Sequence, residues 1–190
     1  MSAFVIGIGG GSASGKSTIA QQLSIRLGPL RVTLINQDRY FREPAGLPKH
    51  ASPDGGRVWP DHNQPDSFDF AQLRADLREA RASDSDVVIL EGILVLHDAE
   101  LRGFMDLKLF VDADPDERIV RRIQRNVARG HDLGEVCDFY LDSVRYRHRE
   151  FCEPTRAYAD LIVPGGAYDG AHTQEFLNRV VATVRARVAG

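Results

Sequence analysis

The sequence predicts a parallel α/β sheet with helices on both of its faces. Three observations carry that prediction. Short apolar runs recur along the chain and end in glycine, proline or acidic residues. Stretches between them place apolar residues three or four apart, the spacing of an amphipathic helix. The run Val87-Val88-Ile89-Leu90 is apolar throughout, as strands buried on both faces are. Strands that alternate with such helices favour crossover connections, and so a parallel sheet.

The elements follow in order. Phe4-Val5-Ile6-Gly7-Ile8 is a strand that runs into glycines. Ile19, Leu23 and Leu27 share one face of a helix over 17–27, and Gly28-Pro29 stops it. Val32-Thr33-Leu34-Ile35 is the second strand. Residues 40–67 hold Pro44, Pro48, Pro53, Pro60 and Pro65 with Gly46, Gly55 and Gly56. They read as a long loop without regular structure, which in a compact domain usually serves function. Phe70, Leu73 and Leu77 mark a helix capped near Ser67 or Asp69, and 87–90 is the third strand. Leu107-Lys108-Leu109-Phe110-Val111 is the fourth. Asp114-Pro115-Asp116-Glu117 opens a helix to about Arg129, with a cap, a proline at the first position and acids at the positive end of the dipole. A further helical stretch covers 133–149, Leu161-Ile162-Val163 is the fifth strand, and a last helix covers 173–188.

The 190 residues fit one domain over 1–190. A net charge of -3 disfavours nucleic acid and acidic membranes as partners. No apolar run approaches the ~20 residues of a membrane span. Cys137 and Cys152 stand in no paired or metal-ligating spacing and read as free thiols, which points to a reducing, cytoplasmic setting.

Gly10-Gly11-Ser12-Ala13-Ser14-Gly15-Lys16-Ser17, followed by Thr18, matches G-x-x-x-x-G-K-[ST]. Glycines let the backbone fold around an oxyanion with its N–H groups inward. The helix that follows aims its positive end at the same point. Lys16 adds a full charge at the β- and γ-phosphates of ATP, and Ser17 offers a hydroxyl to Mg²⁺. An apolar strand before and an amphipathic helix after give the motif the context it requires, a P-loop NTPase fold. Asp38 stands at the end of the second strand, where ligands of open α/β sheets sit, and can accept the proton of an attacking hydroxyl. The alternative is a turn aspartate. Glu91 directly follows the third strand, placed for Mg²⁺ and its waters. Arg118, Arg122, Arg125 and Arg129 form one stripe with Arg121 beside it, and Ile119, Ile123 and Val127 form an opposite stripe expected to face the core. Like charges at this spacing disfavour the helix by ~0.2–0.5 kcal/mol per pair, which an anionic partner offsets. The stripe reads as phosphate contacts on a lid over 118–134, hinged at Gly130-His131-Asp132; the bland alternative is a solvated face. Trp59 either stacks on a substrate ring or caps the loop's own small core.

Together these residues resemble the uridine kinase branch of the uridine kinase/phosphoribulokinase family of P-loop kinases. The likeness runs over most of the chain. It rests on the P-loop, Gln37-Asp38, Pro65-Asp66-Ser67-Phe68-Asp69, Glu91-Gly92-Ile93-Leu94, Leu109-Phe110-Val111-Asp112, Arg121-Arg122 with Arg129-Gly130, and Glu153-Pro154-Thr155 followed by Tyr158-Ala159-Asp160. The resemblance implies a five-stranded parallel core, a helical lid, ATP and Mg²⁺ as cofactors, and transfer to a small hydroxyl-bearing substrate. It implies Asp38 as base, Glu91 at the metal, Arg122 at the substrate or phosphates, and Arg125 and Arg129 in the lid. Tyr40, Trp59, Asp61 and Asn63 are the further substrate-binding candidates. Homo-oligomerisation is open.

Three departures stand out. The family's base-binding hairpin before the third strand has no room in Ala80–Asp86. The aspartate that holds the ribose diol falls on Asn63, with Asp61 nearby as a substitute. A glutamine that helps read the base falls on Phe139. The expected activity is thus an ATP-dependent kinase for a primary hydroxyl, a nucleoside or riboside 5′-OH. Nicotinamide riboside kinases, which also lack the hairpin, are the nearest alternative, followed by kinases of sugars, polyols or pantothenate-like alcohols. A nucleotide-binding regulator is the alternative from another class, although no Asn-Lys-x-Asp guanine motif is present.

Overall fold

The computed structural model describes residues 2–165 and 170–188. Five strands form the main sheet: β1 (Phe4–Gly10), β2 (Val32–Asn36), β5 (Val87–Glu91), β6 (Leu107–Asp112) and β7 (Leu161–Pro164). They pair in the order β2-β5-β1-β6-β7, and every pair is parallel. The sheet is therefore the expected five-stranded α/β sheet, and none of its strands was missed.

Alternation along the strands divides the core into two layers. Val5, Val88, Leu90 and Phe110 face one layer, which α2 (Phe70–Ala82) closes with Leu73 and Leu77. Ile6, Ile8, Val87, Ile89, Leu109 and Val111 face the other, covered by α1 (Lys16–Leu27) and α7 (Gly170–Val188). All seven of the buried residues just named from β1 and β5 are 0% exposed, so the sheet is covered on both faces. Each fully buried Leu, Ile or Val side chain contributes roughly 1.5–3 kcal/mol, so burial on both faces is what holds the sheet flat against its helices. Asp69 caps α2, accepting from Gln72 N at 2.9 Å.

Four features differ from the sequence reading. Inside 40–67, β3 (Lys49–Ala51) pairs antiparallel with β4 (Val58–Pro60), so the loop carries a hairpin of its own. A short helix, α3 (Ala99–Phe104), follows a cap at Asp98. The helical stretch from 133 continues to Tyr158: α5 (Leu133–Phe139), a π-helical turn, α6 (Arg145–Arg147), a second π-helical turn and a 3₁₀ segment. The fourth concerns α4 (Pro115–Ala128). Arg118 is its one buried residue, Ile119 and Ile123 are half-buried, and Val127 is 43% exposed. The stripe expected to face the core is only partly buried, and Arg118 and Arg122 turn inward while Arg125 and Arg129 stay exposed. Among the described residues, no helix is long and apolar enough to cross a membrane.

Candidate active site

The carboxyl ends of β1, β2 and β5 converge because of the strand register. Ile8 and Asn36 both lie opposite Glu91. Glu91 is 6% exposed, and its Oε1 accepts from Ser17 Oγ at 2.9 Å and from Asn36 Nδ2 at 2.7 Å. No donor reaches Oε2 among the described residues. Burial raises the pKa of this carboxyl, and Lys16 and the Ser17 bond oppose the shift. A serine hydroxyl beside a carboxylate with an open oxygen is a hard oxygen donor set of the kind Mg²⁺ takes. Asn36 also accepts from Asp38 N at 2.7 Å, which fixes the turn that presents Asp38. The Asp38 side chain is exposed and lines the adjoining cavity.

The loop from Gly10 to Gly15 turns on three positive φ angles, 141° at Gly10, 63° at Ala13 and 99° at Gly15. Ala13 is the one non-glycine with positive φ among the described residues. Strain of this kind persists where surrounding structure enforces it, commonly at functional sites. At Gly10 any side chain would also strike the Val111 carbonyl and the Ser14 hydroxyl.

Two cavities meet at this loop. One, of ≈570 Å³, lies along Ala13–Ile19 and is closed by Arg121 and Thr173. The other, of ≈630 Å³, holds Asp38, Phe41, Trp59, His62, Asn63 and Phe139 among its lining residues. Lys16, Ser17, Arg125 and Arg129 line both. Arg122 and Arg125 lean over the loop and donate to Ser12 Oγ at 3.0 and 3.4 Å. Burial, and then Arg125, push the Arg122 pKa down to about 10, and burial lowers that of Arg125. Both remain cations at neutral pH, with no carboxylate partner among the described residues. Crowded, half-desolvated arginines without acids are suited to polyanions.

The family model described as the phosphoribulokinase/uridine kinase family matches residues 62–169. The uridine kinase of Brevibacillus brevis is 38% identical over 189 residues, covering 87% of this chain and 86% of that protein. That of Deinococcus deserti is 36% identical over 205 residues, covering 95% and 97%. The chain belongs to the phosphoribulokinase/uridine kinase family. The solved structure of phosphoribulokinase from Rhodobacter spheroides shares the fold, with a TM-score of 0.63 at 17% identity over 86% of this chain and 70% of that one. Membership makes the protein a kinase, a phosphotransferase with an alcohol group as acceptor.

Within this family site the expected residues fall into two groups. Ser12 to Thr18, Asp38, Trp59, Asn63, Arg122, Arg125 and Arg129 line one or both cavities, Glu91 joins them through Ser17, and Gly10 and Gly11 line neither. Tyr40 and Asp61, expected at the substrate, line neither. The Tyr40 hydroxyl donates to Asp76 at 2.7 Å, and burial first, then Asp76, push its pKa up to about 12. Asp61 is 0% exposed and pairs with Arg147 at 2.7 Å. It also accepts from Asn63 N at 2.8 Å and so shapes the turn that carries Asn63 to the cavity.

The connection between α2 and β5 is short, as expected, and holds no hairpin. The β3–β4 hairpin instead reaches the ≈630 Å³ cavity, which Trp59 and Pro60 line. Trp59 Nε1 donates to Asp142 at 2.9 Å, and the indole packs on Phe139 with ring centroids 5.4 Å apart. Opposite it, Phe41 and His62 make an edge-to-face pair at 5.2 Å. Burial lowers the His62 pKa, which keeps the ring neutral at pH 7. Sequence reasoning missed Asn36 and Phe41. The Asn36 signal was its place two residues before Asp38 at a strand end, and Phe41 carried none.

Proposed function

We propose that this protein is an ATP-dependent kinase that moves the γ-phosphoryl group to the primary hydroxyl of a ribosyl-type acceptor, with little regard for the base. The observation that carries the reading is the junction of the two cavities at Lys16, Ser17, Arg125 and Arg129. A donor held along Ala13–Thr18 would present its terminal phosphate to a neighbour held beside Asp38. In-line transfer needs that arrangement, because positioning and electrostatics do most of the catalytic work in phosphoryl transfer.

The roles follow from charge and place. The backbone N–H groups of residues 10–18 and Lys16 hold the β- and γ-phosphates. Ser17 and Glu91 would hold Mg²⁺, which would neutralise charge on the phosphate oxygens. Asp38 orients the acceptor hydroxyl and takes its proton as the new phosphorus–oxygen bond forms and the β–γ bridging bond breaks, releasing ADP. Arg122, Arg125 and Arg129 meet the negative charge on the transferring group. Trp59, Phe41 and Phe139 offer aromatic surface to a planar ring. The Trp59 N–H is engaged by Asp142 and so is not free to read a base edge.

The absent hairpin and Phe139, where the family carries a base-reading glutamine, argue against a pyrimidine-selective enzyme. Sites that hydrogen-bond a substrate group discriminate by ~10⁴ or more, and apolar walls by far less. The test is kcat/KM for uridine, cytidine, adenosine, nicotinamide riboside, and plain sugars and polyols. The ribosides should fall within about tenfold of one another. A preference of about a thousandfold for uridine and cytidine over every other acceptor would overturn the lax-base reading.

A further inference from the structure

Arg118 is buried outside both cavities that meet at the phosphate loop, and its charge has no ion-pair partner among the described residues. The side chain is 8% exposed, and its hydrogen bond among the described residues runs from Nε to Ala113 O at 3.1 Å. It lines neither the donor nor the acceptor cavity, but a third one of ≈480 Å³ on another side of the loop. The nearby acids are engaged or turned to solvent: Asp112 pairs with Arg156 at 3.0 Å, Glu153 contacts His148 at 3.2 Å, and Asp114 is exposed. Burial, and then Arg118 and Arg149, push the His148 pKa down to about 4, so the contact with Glu153 is made by a neutral ring. His148 therefore adds no charge at neutral pH.

The guanidinium is pressed against the phosphate loop. A Cβ built on Gly11 would collide with Arg118 Nη1 and lie 3.0 Å from its Cζ and 3.0 Å from His148 Cε1. Only glycine leaves that space. An unpaired buried cation destabilises the fold unless an anion compensates it. The anion this loop would hold is the donor's polyphosphate, and Arg118 packs against the loop at Gly11.

We infer that Arg118 is a positioning residue for the donor. Its charge acts through Gly11 on the bound phosphates, and its bulk fixes that stretch of the loop. The same helix thus holds the loop twice, with Arg118 at its base and with Arg122 and Arg125 over Ser12. The inference rests on the loop being the ATP-phosphate site.

The experiment measures Mg·ADP affinity by calorimetry and the melting temperature without ligand, for wild type, Arg118→Met, Arg118→Lys and Lys16→Ala. Arg118→Met removes the uncompensated charge, so the ligand-free melting temperature should hold or rise while Mg·ADP affinity falls by about tenfold. Arg118→Lys keeps the charge and should stay within about threefold of wild type. A loss below about fivefold in Arg118→Met, an equal loss in Arg118→Lys, or an Arg118→Met chain that does not fold would each overturn the inference and leave Arg118 a structural residue. Lys16→Ala distinguishes the two levels of the reading. If it binds Mg·ADP as tightly as wild type, the phosphate-site assignment itself fails.

Discussion

Removing Asp61 should loosen the acceptor side of this kinase and leave the donor side intact. Asp61 is 0% exposed and pairs through Oδ2 with Arg147 Nε at 2.7 Å, while Arg147 is 17% exposed and also meets Glu150 at 2.6 Å. Arg147 further donates to His50 Nδ1 at 3.3 Å, and His50 Nε2 donates to Asp142 O at 2.9 Å, so the pair ties the β3–β4 hairpin to the helical arm. Breaking a buried pair costs about 3–5 kcal/mol when the survivor is left uncompensated. The two sides are unequal. Asp61→Asn leaves Arg147 with Glu150, so the low end applies, about 3 kcal/mol. Arg147→Met strands a fully buried carboxylate, so about 5 kcal/mol applies. For a chain of this size each kcal/mol shifts Tm by about 2–4 °C, so Asp61→Asn should lower it by about 6–12 °C and Arg147→Met by more. Replacing both should cost less than the sum of the single changes, since neither charge is then orphaned. Calorimetry gives the Tm values, and steady-state kinetics should show a raised acceptor KM with unchanged Mg·ADP affinity. A larger loss in Asp61→Asn than in Arg147→Met, or a donor affinity that falls with the acceptor KM unchanged, would refute the reasoning.

Three further outcomes are expected. Lys16→Ala should abolish transfer and weaken ATP binding, because the phosphates lose their main point charge; turnover within about threefold of wild type would remove the assignment. Glu91→Gln should impair catalysis in a way partly rescued by high Mg²⁺ or by Mn²⁺. Because burial raises the Glu91 pKa, the folded chain holds that proton more tightly than the unfolded chain. Its share of stability is thus present at low pH and lost as pH rises from the ordinary carboxyl range to the raised value, a slope that Glu91→Gln should flatten in pH-dependent melting curves. Residues 40–67 and 129–134 should exchange amide hydrogens more slowly when an ATP analogue and an acceptor are bound together, and no added protection in either would refute closure.

The parts legible in the sequence were those whose signal is local. The phosphate loop is a contiguous motif, and Asp38 and Glu91 follow apolar runs that mark strand ends. The sheet was legible because its buried strands lack polar residues. The β3–β4 hairpin was not, since three-residue strands among prolines show no alternation, and the six residues of α3 span too few turns to show a period. Asp61 was misplaced because its partner, Arg147, lies 86 residues away in sequence, and a carboxylate beside a substrate loop looks the same whether it faces ligand or protein. The orientation of α4 failed for another reason. Apolar periodicity points a helix toward a core, but α4 buries Arg118 and lays Arg122 and Arg125 over Ser12 while Val127 stays exposed, so apolar area does not decide its inward face.

The central claim, transfer from ATP to an acceptor hydroxyl with Asp38 receiving its proton, is tested most directly by acceptor-stimulated ADP release in wild type and Asp38→Asn. With Mg·ATP alone, ADP should appear slowly, and a riboside should accelerate it in wild type with one phosphorylated product per ADP. Asp38→Asn should lose at least ~10² of the stimulated rate with every acceptor, the lower bound for a general base. ADP release that no hydroxyl acceptor stimulates, or a stimulated rate that Asp38→Asn leaves unchanged, would contradict it.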